Sequence, residues 1–166
     1  MGFDLYGKAP IVPRENVKKI NSIHKQIKLV QSDPDMDTAD KHEKVWAYEQ
    51  TIEALSPGTY FRNNVWWWRP LWMYVTDLCS DILTEKDITS GTFNDGHFIS
   101  KLKSKKIAKR IREAERSGNL DLYCTSYNLE RHDLDENDWR SNYPFSVENA
   151  LEFATFADHS GGFAIF

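Results

Sequence analysis

The fold depends most on residues 58–83, which read GTYFRNNVWWWRPLWMYVTDLCSDIL. Residues 59–65 favour an extended strand, and Pro70 suits the first turn of a helix, where its missing N–H is no loss. Beyond Pro70 the apolar residues recur every three or four positions, as on the buried face of a helix. These residues are Leu71, Trp72, Val75, Leu78, Cys79 and Ile82. The stretch therefore predicts a strand followed by a core helix.

Both ends of the chain read as short strands. In MGFDLYG, residues 1–7, Phe3 and Leu5 alternate with polar or exposed-type residues, and residues 163–166 form an apolar run after two glycines. Pairing the two ends would satisfy their edges, and residues 60–63 are a candidate third strand. The sequence thus predicts a small sheet.

Helical spacing of apolar residues covers much of the remaining chain. Residues 15–31 and 38–55 are separated by the breaker Ser-Asp-Pro-Asp and predict a helical hairpin. Its connector and second arm are acidic, with seven carboxylates and two lysines in residues 33–53. Further helices are predicted over residues 100–116, 122–129 and 146–159. We therefore expect a single α+β domain over residues 1–166, mainly helical, with about five to six helices. The small sheet is formed by the two chain ends, and the acidic helical hairpin, residues 15–55, is an insertion.

The composition is typical of a soluble globular protein. The 166 residues include 21 basic and 25 acidic side chains, and 40% are hydrophobic. The longest apolar run, residues 65–75, is interrupted by Arg69 and Pro70 and is shorter than the roughly 20 residues of a membrane span. No secretory signal is visible, and Cys79 and Cys124 share no metal or redox spacing. We expect a cytoplasmic protein with buried thiols that does not contact a membrane.

Three blocks of the sequence resemble those of a known family. They are MGFDLYG at residues 1–7, GTYFRNNVWWWRPL at residues 58–71, and YPFSVEN at residues 143–149 followed by SGGF at residues 160–163. In this combination they resemble a family of uncharacterised proteins encoded by bacteriophages, prophages and some bacterial genomes. The resemblance implies an accessory role during infection, in the host cell cytoplasm. It does not imply a particular biochemical activity.

Two departures from the family pattern stand out. In many relatives the first two blocks lie close together, so the hairpin of residues 15–55 looks inserted in this chain. Some relatives carry paired Cys-x-x-Cys motifs between Gly118 and the last block, where this chain has only Cys124. The sequence therefore does not support a zinc module.

The first candidate site is the segment 62–72, which contains two arginines, two asparagines and four tryptophans. Trp and Arg side chains stack on bases, Arg also binds phosphates, and the Asn amide can form hydrogen bonds with the edge of a base. We predict a pocket for a nucleotide-like molecule with these ligand-binding residues: Arg62, Asn63, Asn64, Trp67 and Arg69. In the structural alternative the tryptophans fill the core, Arg69 pairs with a buried carboxylate such as Asp4, and the asparagines cap backbone groups. Three adjacent tryptophans cannot all face one way, so at least one should be exposed.

The second candidate is a basic helical stripe. Residues 101–116 carry eight basic and two acidic side chains, a local charge of +6 that leaves −10 for the rest of the chain. The predicted anion-binding patch consists of Lys101, Lys105, Lys109, Arg112 and Arg116. A solvated face that balances the acidic hairpin is the alternative. The acidic total argues against general nucleic-acid binding.

The third candidate is His97 with Asp95, in a loop flanked by glycine, where the two side chains could perform acid–base chemistry. No histidine pair has zinc-hydrolase spacing, and no phosphate-binding glycine motif is present, so neither a metal nor a cofactor is predicted.

These features lead to three functional hypotheses. The first is a non-enzymatic accessory binding protein of phage type, which counters host immunity by sequestering a nucleotide signal in the Trp/Asn/Arg pocket. The alternative is a protein-interaction module that inhibits a host protein through the acidic hairpin. The second alternative is a small hydrolase that uses His97 and Asp95. The sequence also allows a homo-oligomer.

Overall fold

The computed structural model describes residues 2–166, which fold into seven α-helices and four strands. The helices are α1 (Arg14–Ser32), α2 (Thr38–Leu55), α3 (Val65–Leu78), α4 (Glu85–Ser90), α5 (Lys101–Arg116), α6 (Asn119–Glu130) and α7 (Val147–His159). The strands are β1 (Gly2–Gly7), β2 (Tyr60–Asn64), β3 (His97–Ile99) and β4 (Phe163–Ile165). Two short 3-10 turns, Arg131–Asp133 and Trp139–Asn142, follow α6. The predicted α+β, mainly helical fold class is confirmed.

The sheet brings the three sequence blocks together. Its order is β2–β1–β4–β3, with every neighbouring pair antiparallel. Leu5 of β1 lies opposite Phe61 of β2 on one side and opposite Ile165 of β4 on the other. The two chain ends therefore pair as predicted, and β3 is a further strand that the sequence analysis does not predict.

The core lies between one face of the sheet and the helices α3, α5 and α7. Phe3 and Leu5 point into it from β1, and Trp68 and Phe153 enter from α3 and α7; all four are at most 2% exposed. Burial raises the pKa of the Cys79 thiol at the end of α3 to about 11, so this thiol stays protonated at neutral pH. Among the described helices, none combines the length and the apolarity that crossing a bilayer requires.

The core helix begins earlier than the sequence predicts. α3 starts at Val65, five residues before Pro70, because the side chain of Asn64 accepts a hydrogen bond from the Trp67 N–H (3.2 Å) and caps the helix. Pro70 therefore lies inside the helix rather than in its first turn. The capping side chain of Asn64 marks the start of the helix, which the spacing of apolar residues does not show.

Three glycines of the sequence blocks meet at one end of the sheet. A Cβ atom on Gly7 would lie 1.9 Å from the carbonyl oxygen of Gly58, and one on Gly58 would lie 2.2 Å from the carbonyl of His159. Gly161, which has a φ of +67°, approaches the backbone of Ala9 in the same way. Only glycine allows three backbone segments to pack this closely.

The two arms of the hairpin pack on each other, and neither packs extensively on another helix or strand. Ile20 and Val30 are the buried residues of α1, whereas no residue of α2 is fully buried. At the base of the hairpin, the side-chain amide of Asn16 donates to the carbonyl oxygen of Leu55 (3.1 Å). Residues 14–55 thus form an arm attached to the fold at its base.

Candidate functional site

The three consecutive tryptophans at the start of α3 have different surroundings. Trp68 is fully buried and stacks on Trp72, with ring centroids 5.3 Å apart, whereas Trp66 is 48% and Trp67 37% exposed. The Trp66 ring packs edge to face on the Tyr143 ring, with the two ring centroids 4.6 Å apart. The buried and exposed rings match the expectation that a helix cannot turn all three to one side.

A pocket of about 400 Å³ opens on the face of α3 that carries Arg69, Trp72 and Met73. Its remaining walls are Ile88 and Phe93, from α4 and the turn after it, and Trp139 from the second 3-10 turn. The pocket is large enough for a small organic ligand. We call it the Arg69 pocket.

Hydrogen bonds from buried indoles fix the wall of the Arg69 pocket. The Trp72 indole N–H donates to the carbonyl oxygen of Ile88 (3.1 Å), and that of Trp68 donates to the carbonyl oxygen of Gly91 (2.8 Å). A Cβ atom on Gly91 would lie about 2 Å from the Trp72 ring, so α4 and its turn lie directly against the indoles. Contacts within the chain therefore hold this wall in place.

Among the described residues that line the Arg69 pocket, Arg69 has the only charged side chain. Its guanidinium carbon lies 5.9 Å from the ring centroids of both Trp139 and Tyr143. No carboxylate in residues 2–166 forms an ion pair with it. Asp4, the carboxylate named in the structural alternative, instead lies 3.6 Å from Arg62. Arg69 thus combines a cation, aromatic neighbours and an apolar pocket at one place.

The other four predicted ligand-binding residues lie outside the Arg69 pocket. Arg62 is exposed on β2 and faces Asp4, and Asn64 caps α3. Asn63 is buried, and its side-chain amide donates to the side chain of Asn149 (3.0 Å). Trp67 is partly exposed at the start of α3. Their roles in ligand binding stay predictions, and the structure gives Asn63 and Asn64 internal partners.

The predicted anion-binding patch runs along α5 from its first to its last residue, and two of its side chains contact α7. Lys105 pairs with Asp158 (2.8 Å), Arg112 donates to the Thr155 hydroxyl (3.0 Å), and Lys109 lies 3.7 Å from Glu113. Lys101 and Arg116 are exposed at the two ends of the helix. None of the five lines the Arg69 pocket. The patch and the pocket are therefore separate features of the surface.

His97 is paired with a different carboxylate from the one considered in the sequence analysis. Its Nε2 lies 2.9 Å from Oδ1 of Asp87, which is only 4% exposed. The side chain of Asp95 instead accepts a hydrogen bond from the His97 backbone N–H (3.2 Å) and shapes the turn. Asp87 also binds Lys103 and both the backbone N–H and the hydroxyl of Thr84.

These contacts determine the charge of Asp87. Burial by itself would raise the pKa of the Asp87 carboxyl, but the hydrogen bonds from Lys103, Thr84 and His97 outweigh it and hold this pKa well below its usual range. The carboxylate stays charged and links α4, β3 and α5. Its described contacts are those of a structural ion-pair centre.

Replacing Asp87 with asparagine should lower the free energy of unfolding by about 2–3 kcal/mol at neutral pH, because Lys103 and His97 lose their charged partner. In the wild type this contribution is complete above about pH 5 and is lost as the pH falls below about 4, because the unfolded chain then binds the proton more readily than the folded protein. Urea unfolding from pH 7 down to about pH 3 measures both effects.

The matched control for this test is Asp95→Asn. The Asp95 side chain is exposed and accepts a hydrogen bond from the His97 backbone N–H within the turn. It should change stability by less than about 1 kcal/mol and leave the pH dependence intact. Equal pH profiles for wild type and Asp87→Asn would contradict the assignment of the low pKa to Asp87.

The residues missed by the sequence analysis are Trp139, Phe93 and Asp87. Trp139 lies between the predicted helices 122–129 and 146–159, and an indole among so many charged residues is the signal that could have been used. In residues 2–166 no three His, Cys, Asp or Glu side chains converge as a metal site would require. No protein-family model matches the chain, and no curated protein and no solved structure matches it.

Proposed function

We propose that this chain is a binding protein that takes a flat aromatic ligand with one anionic group, of the nucleotide class, into the Arg69 pocket. The observation that carries the proposal is the Arg69 guanidinium, which has no carboxylate partner in residues 2–166 and lines an aromatic pocket of about 400 Å³. An arginine in such surroundings is suited to a phosphate oxygen.

The chemistry of the walls favours the aromatic part of such a ligand. Trp139 and Phe93 offer ring faces or edges at the mouth, and the buried Trp72 lies deeper. Stacking of a base on an aromatic side chain contributes about 1–3 kcal/mol. The pocket holds only one cation, which fits a ligand with one phosphate better than one with a chain of phosphates.

The biological role that we propose follows from the resemblance to phage and prophage proteins. A protein that binds a nucleotide without converting it can remove a signal that host immunity uses. We therefore propose an accessory function in infected cells, in which the chain sequesters such a signal. The pocket supports the binding step of this proposal, and the resemblance supports its setting.

Isothermal titration calorimetry tests the binding step. The probes are nucleoside monophosphates and cyclic mononucleotides, with the matching nucleosides as ligands that lack the phosphate. We expect one of the phosphorylated probes to release heat and its nucleoside to bind at least about tenfold more weakly, because it cannot engage Arg69.

Arg69→Gln should weaken binding of that probe about 10–100-fold, since a charge-assisted hydrogen bond is lost while the side chain stays polar. The matched control is Arg14→Gln, because Arg14 is exposed at the start of α1 and does not line the pocket. Absence of heat with every probe, or equal losses in the two variants, would overturn the proposal.

A further inference from the structure

The hairpin carries an exposed aromatic surface that nothing in residues 2–166 covers. Trp46 of α2 is 63% exposed and lines a groove of about 410 Å³ with Val45 and His42. Glu43 and Glu49 lie three residues before and after Trp46, so they flank it on the same side of the helix. We call Glu43, Trp46 and Glu49 the hairpin surface.

Glu43 and Glu49 give the hairpin surface a local negative charge, beside Lys41 in the wall of the groove. Residues 33–53 contain seven carboxylates and two lysines. None of these carboxylates forms an ion pair in the part of the chain that the structure describes. An exposed Trp within an acidic rim is typical of a contact with a basic protein surface that has an apolar centre.

A surface of that kind lies on the same chain, on the outer side of α5. Leu102 is 66% exposed, and Lys106 and Lys109 follow it at the i+4 and i+7 positions, on the same side of the helix. Lys106 has no ion pair among the described residues, and Lys109 has only an exposed one with Glu113. We call Leu102, Lys106 and Lys109 the α5 surface.

We propose that the partner of the hairpin surface is the α5 surface of a second copy of this chain. The helices of the hairpin are about 28 Å long and pack mainly on each other, so the arm can reach a neighbouring molecule. Trp46 packs on Leu102 and on the aliphatic stem of Lys106, and the two glutamates face the two lysines.

In the proposed dimer the contact is made twice around a two-fold axis, so that each hairpin docks on the α5 of its partner. The apolar contact supplies affinity, whereas the charges supply specificity and make association sensitive to salt. The Arg69 pocket takes no part in this contact, so the two proposals are independent.

Sedimentation equilibrium of the full chain tests the proposal. We expect a monomer–dimer equilibrium that weakens at high salt. Trp46→Ala should raise the dissociation constant about thirtyfold, as for a central interface tryptophan. The matched control is Trp66→Ala, which removes another exposed tryptophan outside the hairpin and should leave the dimer intact. Circular dichroism shows that each variant remains folded.

Exchange of charges distinguishes this contact from any other self-association. The double variant Glu43→Lys/Glu49→Lys and the double variant Lys106→Glu/Lys109→Glu should each be monomeric, because each meets like charges in its own homodimer. Mixed in equal amounts, the two should form a heterodimer, since both contacts again join opposite charges.

A chain that stays monomeric at every concentration overturns the proposal, and the hairpin surface then serves a different protein. A dimer that is unaffected by Trp46→Ala, or a mixture of the charge variants that does not associate, overturns it equally.

Discussion

Trp68→Ala is expected to lower the free energy of unfolding by about 3–5 kcal/mol, the usual cost of truncating a fully buried Trp. Trp68 is 0% exposed and stacks between Phe3 and Trp72, at centroid distances of 5.4 and 5.3 Å. The substitution also leaves the carbonyl oxygen of Gly91 without its indole donor. Because the free energy of unfolding of a small domain is about 5–15 kcal/mol in total, this substitution would remove much of it.

Urea unfolding followed by circular dichroism measures this loss, and Trp66→Ala is the matched control two residues away. Trp66 is 48% exposed, so its truncation should cost less than about 1.5 kcal/mol. Similar unfolding midpoints for the two variants would mean that the side chain at position 68 does not form the centre of the core.

Gly58→Ala is the second large effect, with an expected loss of more than about 3 kcal/mol. The new Cβ atom would lie 2.2 Å from the carbonyl of His159 and 2.7 Å from the backbone nitrogen of Ser160, and backbone atoms cannot move aside as a flexible side chain does. The junction of Gly7, Gly58 and the turn after α7 would have to open, which separates the start of β2 from the last turn of the chain.

Thermal unfolding compares Gly58→Ala with Gly2→Ala. A Cβ atom on Gly2 meets its nearest neighbour at 3.6 Å, an ordinary contact, so this control should change stability by less than about 1 kcal/mol. An unfolding temperature of Gly58→Ala equal to that of the wild type would contradict the close backbone approach.

The parts of the fold that the sequence predicts are those with a local pattern. Alternation in residues 2–7 and helical spacing in residues 15–55 each act within a few positions of the chain. These patterns lead directly to the sheet of the two chain ends and to the projecting hairpin. α4, with six residues, is too short to show a helical period.

The candidate site depends on contacts between distant residues, which no local pattern reports. Arg69 and Trp139 are 70 positions apart in the sequence and meet only because α3 and the second 3-10 turn are brought together by the packed core. Arg62 and Asn63 are close to Arg69 in the sequence, but they lie on β2 and do not line the Arg69 pocket. His97 likewise binds Asp87, ten positions away, rather than the adjacent Asp95.

The attachment of the hairpin at its base has a consequence for the evolution of this protein. β1 and β2 are neighbours in the sheet, and the arm leaves and re-enters between them without touching the hydrophobic interior. Descendants can therefore lengthen, shorten or exchange this module while the ancestral scaffold persists. Selection on the arm and selection on the scaffold can proceed at different speeds, because the four strands lie outside residues 14–55.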